Sequence, residues 1–147
     1  MIERVVFDTS TLVGAALKVG SKPHQALMFA LEHCVLCGSK QLLQELTEVL
    51  SRSYFVRSLP QPERDTFLVI VEKNLETFWV SKEAARSLNP PCRDGNDNFI
   101  LALALASQAE AIVSSDHDLL ALNPWNGIPI LTPAQFVAQF PTGEASQ

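Results

Sequence analysis

The sequence predicts an α/β fold, a three-layer α/β/α sandwich around a central parallel sheet. Three observations predict it. Short runs of apolar residues recur along the chain, apolar on both faces, as in strands covered by helices on either side. Segments with helical spacing or helix-start signals separate them, and such alternation implies parallel pairing. The length of 147 residues, with 47% hydrophobic and 18% charged residues, suits a single domain with a sizeable core.

The elements follow in order. "RVVFD" (Arg4 to Asp8) is a central strand. "KPHQALMFALEH" (Lys22 to His33) is a helix with Pro23 in its first turn, where proline is tolerated. "CVLCG" (Cys34 to Gly38) is a second strand. A helix then runs from Ser39, its N-cap, to about Ser53. Another starts at Pro62, and "TFWV" (Thr77 to Val80) reads as the third strand. "DNFILALALASQ" follows Asp97 as a helix apolar nearly all round, hence buried. "EAIVSS" (Glu110 to Ser115) and "IPIL" (Ile128 to Leu131) complete the strands. "TPAQFVAQF" (Thr132 to Phe140) closes the fold, capped by Thr132. One domain over residues 1–140 is expected, with a flexible tail over 141–147.

Composition narrows the function classes. The formal net charge is −5, which argues against coating nucleic acid through bulk positive charge but not against a few local basic contacts. The N-terminus lacks a signal-peptide pattern. The longest apolar stretch, Phe99 to Ala106, is too short to span a bilayer. A soluble cytoplasmic protein with no membrane association is expected. Three cysteines do not make a disulfide framework. Cys34 and Cys37 have the spacing of half a zinc site, but no second pair exists and strand positions three apart face opposite ways.

Sites in parallel sheets collect beyond the carboxyl ends of the strands. Asp8 ends the first strand there, and Asp116 follows "IVSS". Asp8 would be partly desolvated, a costly arrangement without partners, although a turn with Thr9, Ser10 or Thr11 could satisfy it. Glu45 falls at the border of the stripe formed by Leu42, Leu43, Leu46, Val49 and Leu50, whereas Glu48 points away from it. Asp97 stands at the start of the buried helix, as an N-cap, a metal ligand or both. Clustered carboxylates repel, and a divalent cation relieves that repulsion. Hard oxygen ligands without thiolate or close histidine suit Mg²⁺ or Mn²⁺, which activates water and stabilises charge on a scissile phosphate.

"VVFDTSTLVGAAL", "SKQLLQELTEVL", "CRDGNDNFILALALA", "AIVSSDHDLLAL" and "GIPILTPAQF", in this order and spacing, resemble the PIN-domain family over about Val5 to Phe140. The resemblance is closest to the prokaryotic toxin components of toxin–antitoxin systems. It implies a Mg²⁺- or Mn²⁺-dependent endoribonuclease with an acidic catalytic and metal-binding site. The family's four acids match Asp8, Glu45, Asp97 and Asp116. Asp118 matches a less central acid, a helix-start residue or a support. Asp94 fits the "CRD" pattern as a turn-former or support. Ser114 matches a small hydroxyl residue that orients a carboxylate or the phosphate. Ser10 stands where many relatives carry asparagine, and Phe99 where many carry lysine. The resemblance further implies an RNA substrate, a small antitoxin partner and a homodimer.

Arg52 and Arg57 flank Tyr54 and Phe55, an arrangement that either holds single-stranded RNA or ends a helix with solvated arginines. Arg93 in the acid-bearing loop could contact a phosphate or neutralise the carboxylates. Two other readings compete. A haloacid-dehalogenase-like phosphatase needs a second carboxylate two residues after the first, where Ser10 stands. A non-catalytic RNA- or protein-binding domain of the same fold would be expected to have lost acids.

Overall fold

The computed structural model describes residues 2–52, 58–93 and 95–140. Five strands form one sheet: β1 (Arg4–Phe7), β2 (Val35–Gly38), β3 (Leu75–Thr77), β4 (Ala111–Val113) and β5 (Ile130–Leu131). Their order is β3-β2-β1-β4-β5, and every pairing is parallel. The expected α/β architecture is observed. Val5, Val6 and Phe7 are all buried, as are Ala111, Ile112 and Val113, so the two central strands are covered on both faces.

Eight α-helices lie among the described residues: α1 (Thr9–Leu17), α2 (Lys22–His33), α3 (Lys40–Leu50), α4 (Gln61–Asn74), α5 (Lys82–Arg86), α6 (Asn98–Ala106), α7 (His117–Leu120) and α8 (Pro133–Val137). From β1 to β3 the chain steps across the sheet in one direction, and it then returns past β1 to add β4 and β5. Right-handed crossovers therefore put α5 and α6 on the face opposite α1 to α4. Helix α1 packs on α2 and α3, α2 on α8, and α6 on β1 and β2. The Phe7 ring meets Phe136 edge-on at 5.7 Å, which ties the central strand to α8.

The reversal creates a topological switch point between β1 and β4, where open α/β sheets form a crevice beyond the strand ends. Asp8 and Asp116 follow the two strands that flank it.

Several elements differ from expectation. The third strand is Leu75–Thr77, not Thr77 to Val80. Helix α4 runs to Asn74 and passes straight into extended backbone, so Leu75 takes the place beside Leu36. The aromatic pair Phe78–Trp79 that suggested a strand lies past its end, and Trp79 is 86% exposed. Helix α1 was not anticipated, because its first residues are β-branched or hydroxylated and have poor intrinsic helix propensity. A cap and burial override that preference: Asp8 accepts from the Thr11 N–H, and Leu12, Val13 and Ala15 are buried. The short helix α5 was also missed, whereas α7 was expected only through the helix-start reading of Asp118. Helix α3 ends at Leu50, before the expected Ser53, which lies outside the described residues. The tail 141–147 lies outside them too.

Gly38 ends β2 where the chain passes closest to its neighbour, and a Cβ there would overlap the Leu75 side chain. Gly38→Ala should therefore destabilise the fold by about 1–3 kcal/mol through overpacking. Urea denaturation would measure this, and adding Leu75→Ala should return part of the loss.

Candidate functional site

Asp8 is only 2% exposed, and its carboxylate is held from three sides. The Thr11 backbone N–H donates to Oδ1 at 2.9 Å, at the N-terminus of α1. The Ser10 hydroxyl donates at 3.2 and 3.3 Å to the two oxygens. The Ser114 hydroxyl, from the residue just past β4, donates to Oδ2. Ser114 Oγ also accepts from the Asp116 N–H at 2.9 Å. One buried hydroxyl thus bridges the acid after β1 and the backbone of the acid after β4. The Asp8 N–H donates to the Val113 carbonyl at 3.2 Å, continuing the strand pairing to the edge of the site.

Asp116 caps α7, its Oδ1 accepting from the Asp118 N–H at 2.9 Å. Asp118 sits in the first turn of α7, and His117 is exposed. Asp97 precedes α6 but makes no side-chain cap hydrogen bond. Its bland reading as a capping residue is therefore not what the helix uses. Glu45 lies half-buried on α3, between the buried Leu42 and Leu46 and the exposed Glu48.

Asp8, Glu45, Asp97 and Asp116 line one cleft of about 420 Å³. Thr9 and Ser10 supply its other polar groups, and Val13, Leu17 and Val49 its apolar wall. Burial pushes the Asp8 carboxyl above its ordinary value, and the hydrogen bonds from Ser114, Thr11 and Ser10 oppose the rise. Burial also raises Glu45. The Thr9 hydroxyl opposes that rise, Glu48 and Asp8 add to it, and Arg52 opposes it. The two acids therefore sense each other across the cleft.

Among the described residues the donor set facing this cleft is all oxygen, carboxylate and hydroxyl, with no thiol or imidazole in its lining. That chemistry fits a hard divalent cation. Among the described residues no three Asp, Glu, His or Cys side chains are drawn together as a ready-made metal cage. Mg²⁺ is commonly bound through one or two carboxylates and retained waters, so an open cleft of this kind suits it.

The other anticipated residues separate. Arg52 is exposed and lies near enough to Glu45 to favour its charged form. Arg93 is exposed and does not line the cleft. Asp94 and Arg57, with Tyr54 and Phe55, lie outside the described residues. Cys37 and Cys92 are buried, and Cys34 is partly so. Thr9 was missed as a site residue; its signal was a hydroxyl directly after the strand-end acid.

Fold and cleft together define an open parallel α/β protein with an acidic crevice at its switch point. A family model described as PIN domain matches residues 4–118, most of the chain, and the chain belongs to the PIN domain family. Two solved structures are similar at 17% identity and a TM-score of 0.63 each. One is VapBC2 from Rickettsia felis bound to a DNA fragment from their promoter, covering 88% of this chain and 98% of that chain. The other is PAE2754 from Pyrobaculum aerophilum, covering 99% of this chain and 91% of that one. At this identity both likenesses concern the fold. Comparison with curated protein sequences gives no significant match.

The raised Asp8 pKa carries a stability consequence. The folded state holds this proton more tightly than the unfolded chain, so the Asp8 contribution is fully present below its ordinary value of 3.8. It is lost as pH rises through the higher folded value. Asp8→Asn should therefore raise Tm at neutral pH, and the gain should vanish below about pH 3.8. Ser114→Ala should act in the opposite direction at neutral pH, costing about 1–3 kcal/mol by leaving a buried carboxylate under-bonded. Thermal melts from pH 3 to pH 8 check both.

Proposed function

We propose that this PIN-domain protein is a Mg²⁺- or Mn²⁺-dependent endoribonuclease and the toxin of a toxin–antitoxin pair. The observation that carries the reading is the convergence of Asp8, Glu45, Asp97 and Asp116, from four separate segments, on one cleft at the switch point. The similar fold of a toxin–antitoxin protein, VapBC2, supports the biological assignment.

Asp8, Asp97 and Asp116 would hold the metal, with Glu45 facing them from α3. A bound divalent cation supplies a nucleophile from water near neutral pH and stabilises charge on the phosphate oxygens. The chain's own residues do the rest. Ser114 and the Thr11 N–H fix the Asp8 carboxylate so that it needs no reorganisation when phosphate arrives. Capping through Oδ1 fixes Asp116. Glu45, raised by burial and by its acidic neighbours, would take a proton from the attacking water. Val13, Leu17 and Val49 give the cleft an apolar wall, which would strengthen these interactions by limiting water on that side. A small antitoxin and a second copy of the chain complete the proposed partners.

Incubation with single-stranded RNA in Mg²⁺ or Mn²⁺ tests the reading. Wild type should cleave, chelator should stop it, and Asp8→Asn or Asp116→Asn should lose on the order of a hundredfold or more, the scale of several kcal/mol of charge stabilisation. Cleavage that survives chelation, or equal cleavage by Asp8→Asn, would refute the mechanism.

A further inference from the structure

The acidic cleft is continued by a groove that also carries basic side chains. A cleft of about 590 Å³ shares Glu45 with it and runs between α3 and α5. On the α3 side Gln41, Glu45, Glu48 and Arg52 follow one another at helical spacing along one face. Across the groove stand Lys82 and Arg86, four apart and so on one face of α5. A third cleft, of about 460 Å³, shares Gln41, Lys82 and Phe99 with the second and brings in Lys40 and Trp79.

Among the described residues, four cations, Lys40, Arg52, Lys82 and Arg86, thus line the path, against the two acids Glu45 and Glu48. The chain as a whole carries 11 basic and 16 acidic groups, so this local excess runs against its composition. Among the described residues none of the four cations is engaged in an ion pair. Arg52 lies near enough to Glu45, the residue common to both clefts, to favour its charged form. Trp79 lies at the far end, 86% exposed, while the other tryptophan, Trp125, is buried. A large aromatic side chain left so open, beside lysines and next to a charged groove, is a platform for a flat ring.

We propose that this groove carries a single-stranded nucleic acid away from the acidic cleft, with phosphates on Arg52, Lys82 and Arg86 and an unpaired base stacked on Trp79. The assignment rests on the nuclease reading for what happens in the cleft, and it names how the substrate is held. Single strands fit because stacking on Trp79 requires an unpaired base face. RNA and DNA share this backbone and stacking chemistry, and the groove is assigned to what they share.

The test measures binding apart from cleavage. Fluorescence anisotropy of a labelled oligouridylate of roughly twelve nucleotides is followed with the full chain in chelator, across salt concentrations. A DNA oligothymidylate of the same length forms the second arm. Lys82→Gln with Arg86→Gln should weaken binding of both about tenfold and lower the salt slope by about 1.4, at 0.7 per phosphate contact. Trp79→Ala should weaken binding on the order of tenfold with the salt slope kept, and Trp79→Phe should restore most of it. Oligonucleotide should also quench Trp79 emission in a Trp125→Phe background. All these positions except Trp125 are exposed, and Tm within a degree or so of wild type confirms folding. Unchanged affinity in both groove variants, or no binding by wild type, overturns the assignment. Loss of cleavage with this binding pattern intact removes the nuclease chemistry and leaves the groove standing.

Discussion

A carboxylate buried at the end of the central strand is the constraint on which the rest of this structure depends. Asp8 is almost entirely withdrawn from solvent where it lies, so its environment must supply much of what water would have supplied. Three elements do so together: the N-terminus of α1 through Thr11, the first turn through Ser10, and the end of β4 through Ser114. Each requires a particular register. Phe7 pairs with Val113, which leaves Ser114 next in line and beside Asp8. Because side chains alternate along a strand, a slip of one residue would turn the Ser114 hydroxyl to the other face. The site chemistry therefore demands one pairing of β1 with β4, and the buried Val5, Val6, Ile112 and Val113 enforce the same one.

Charge is distributed by cleft rather than by composition. Burial makes Asp8 and Glu45 harder to ionise, repulsion from Glu48 and Asp8 adds to this at Glu45, and Arg52 alone among the groups acting on Glu45 opposes it by charge. On the proposed reading, a second cation near those acids would weaken the hold on a metal, and fewer would leave an incoming phosphate repelled. Lys82 and Arg86 line the adjoining groove and not the acidic cleft itself. At physiological ionic strength exposed charges more than about 8 Å apart are largely screened. An acidic centre and a basic approach can then coexist on a chain whose net charge is −5.

How far the sequence discloses this follows from which interactions are local. The central strands and the buried helix α6 are legible because apolar runs announce burial directly. The cap and proline of α8 are legible for the same local reason, and Thr132 and Gln135 form a reciprocal capping box. The four acids could be grouped because strand ends and helix faces fix where a residue points. Helix α1 was not legible, since "TST" favours strand by itself and becomes helical only through the Asp8 cap and burial against α2 and α3. The third strand shifted because aromatic content at Phe78 and Trp79 imitates a strand, whereas pairing is decided by where α4 ends. The basic groove is non-local throughout. Arg52 and Lys82 are 30 residues apart, and only the packing of α5 on α6 beside α3 makes them neighbours in one cleft.

The two acids around His117 show how a local signal can be right about conformation and still miss function. "SSDHD" carries an ordinary helix-start pattern, and Asp116 does cap α7. A cap uses one carboxylate oxygen, Oδ1, on the Asp118 N–H. The same side chain lines the acidic cleft, so its second oxygen lies outside the cap's requirements. Asp118 enters this arrangement through its backbone and does not line the cleft. Asp97 makes the converse point. It stands where a cap is expected and forms no cap hydrogen bond, yet it faces the same cleft. Capping and cleft-lining are thus independent properties of a strand-end or helix-start acid. What distinguishes a site acid from a structural one is its position relative to the β1–β4 switch point, not whether a backbone N–H has found it.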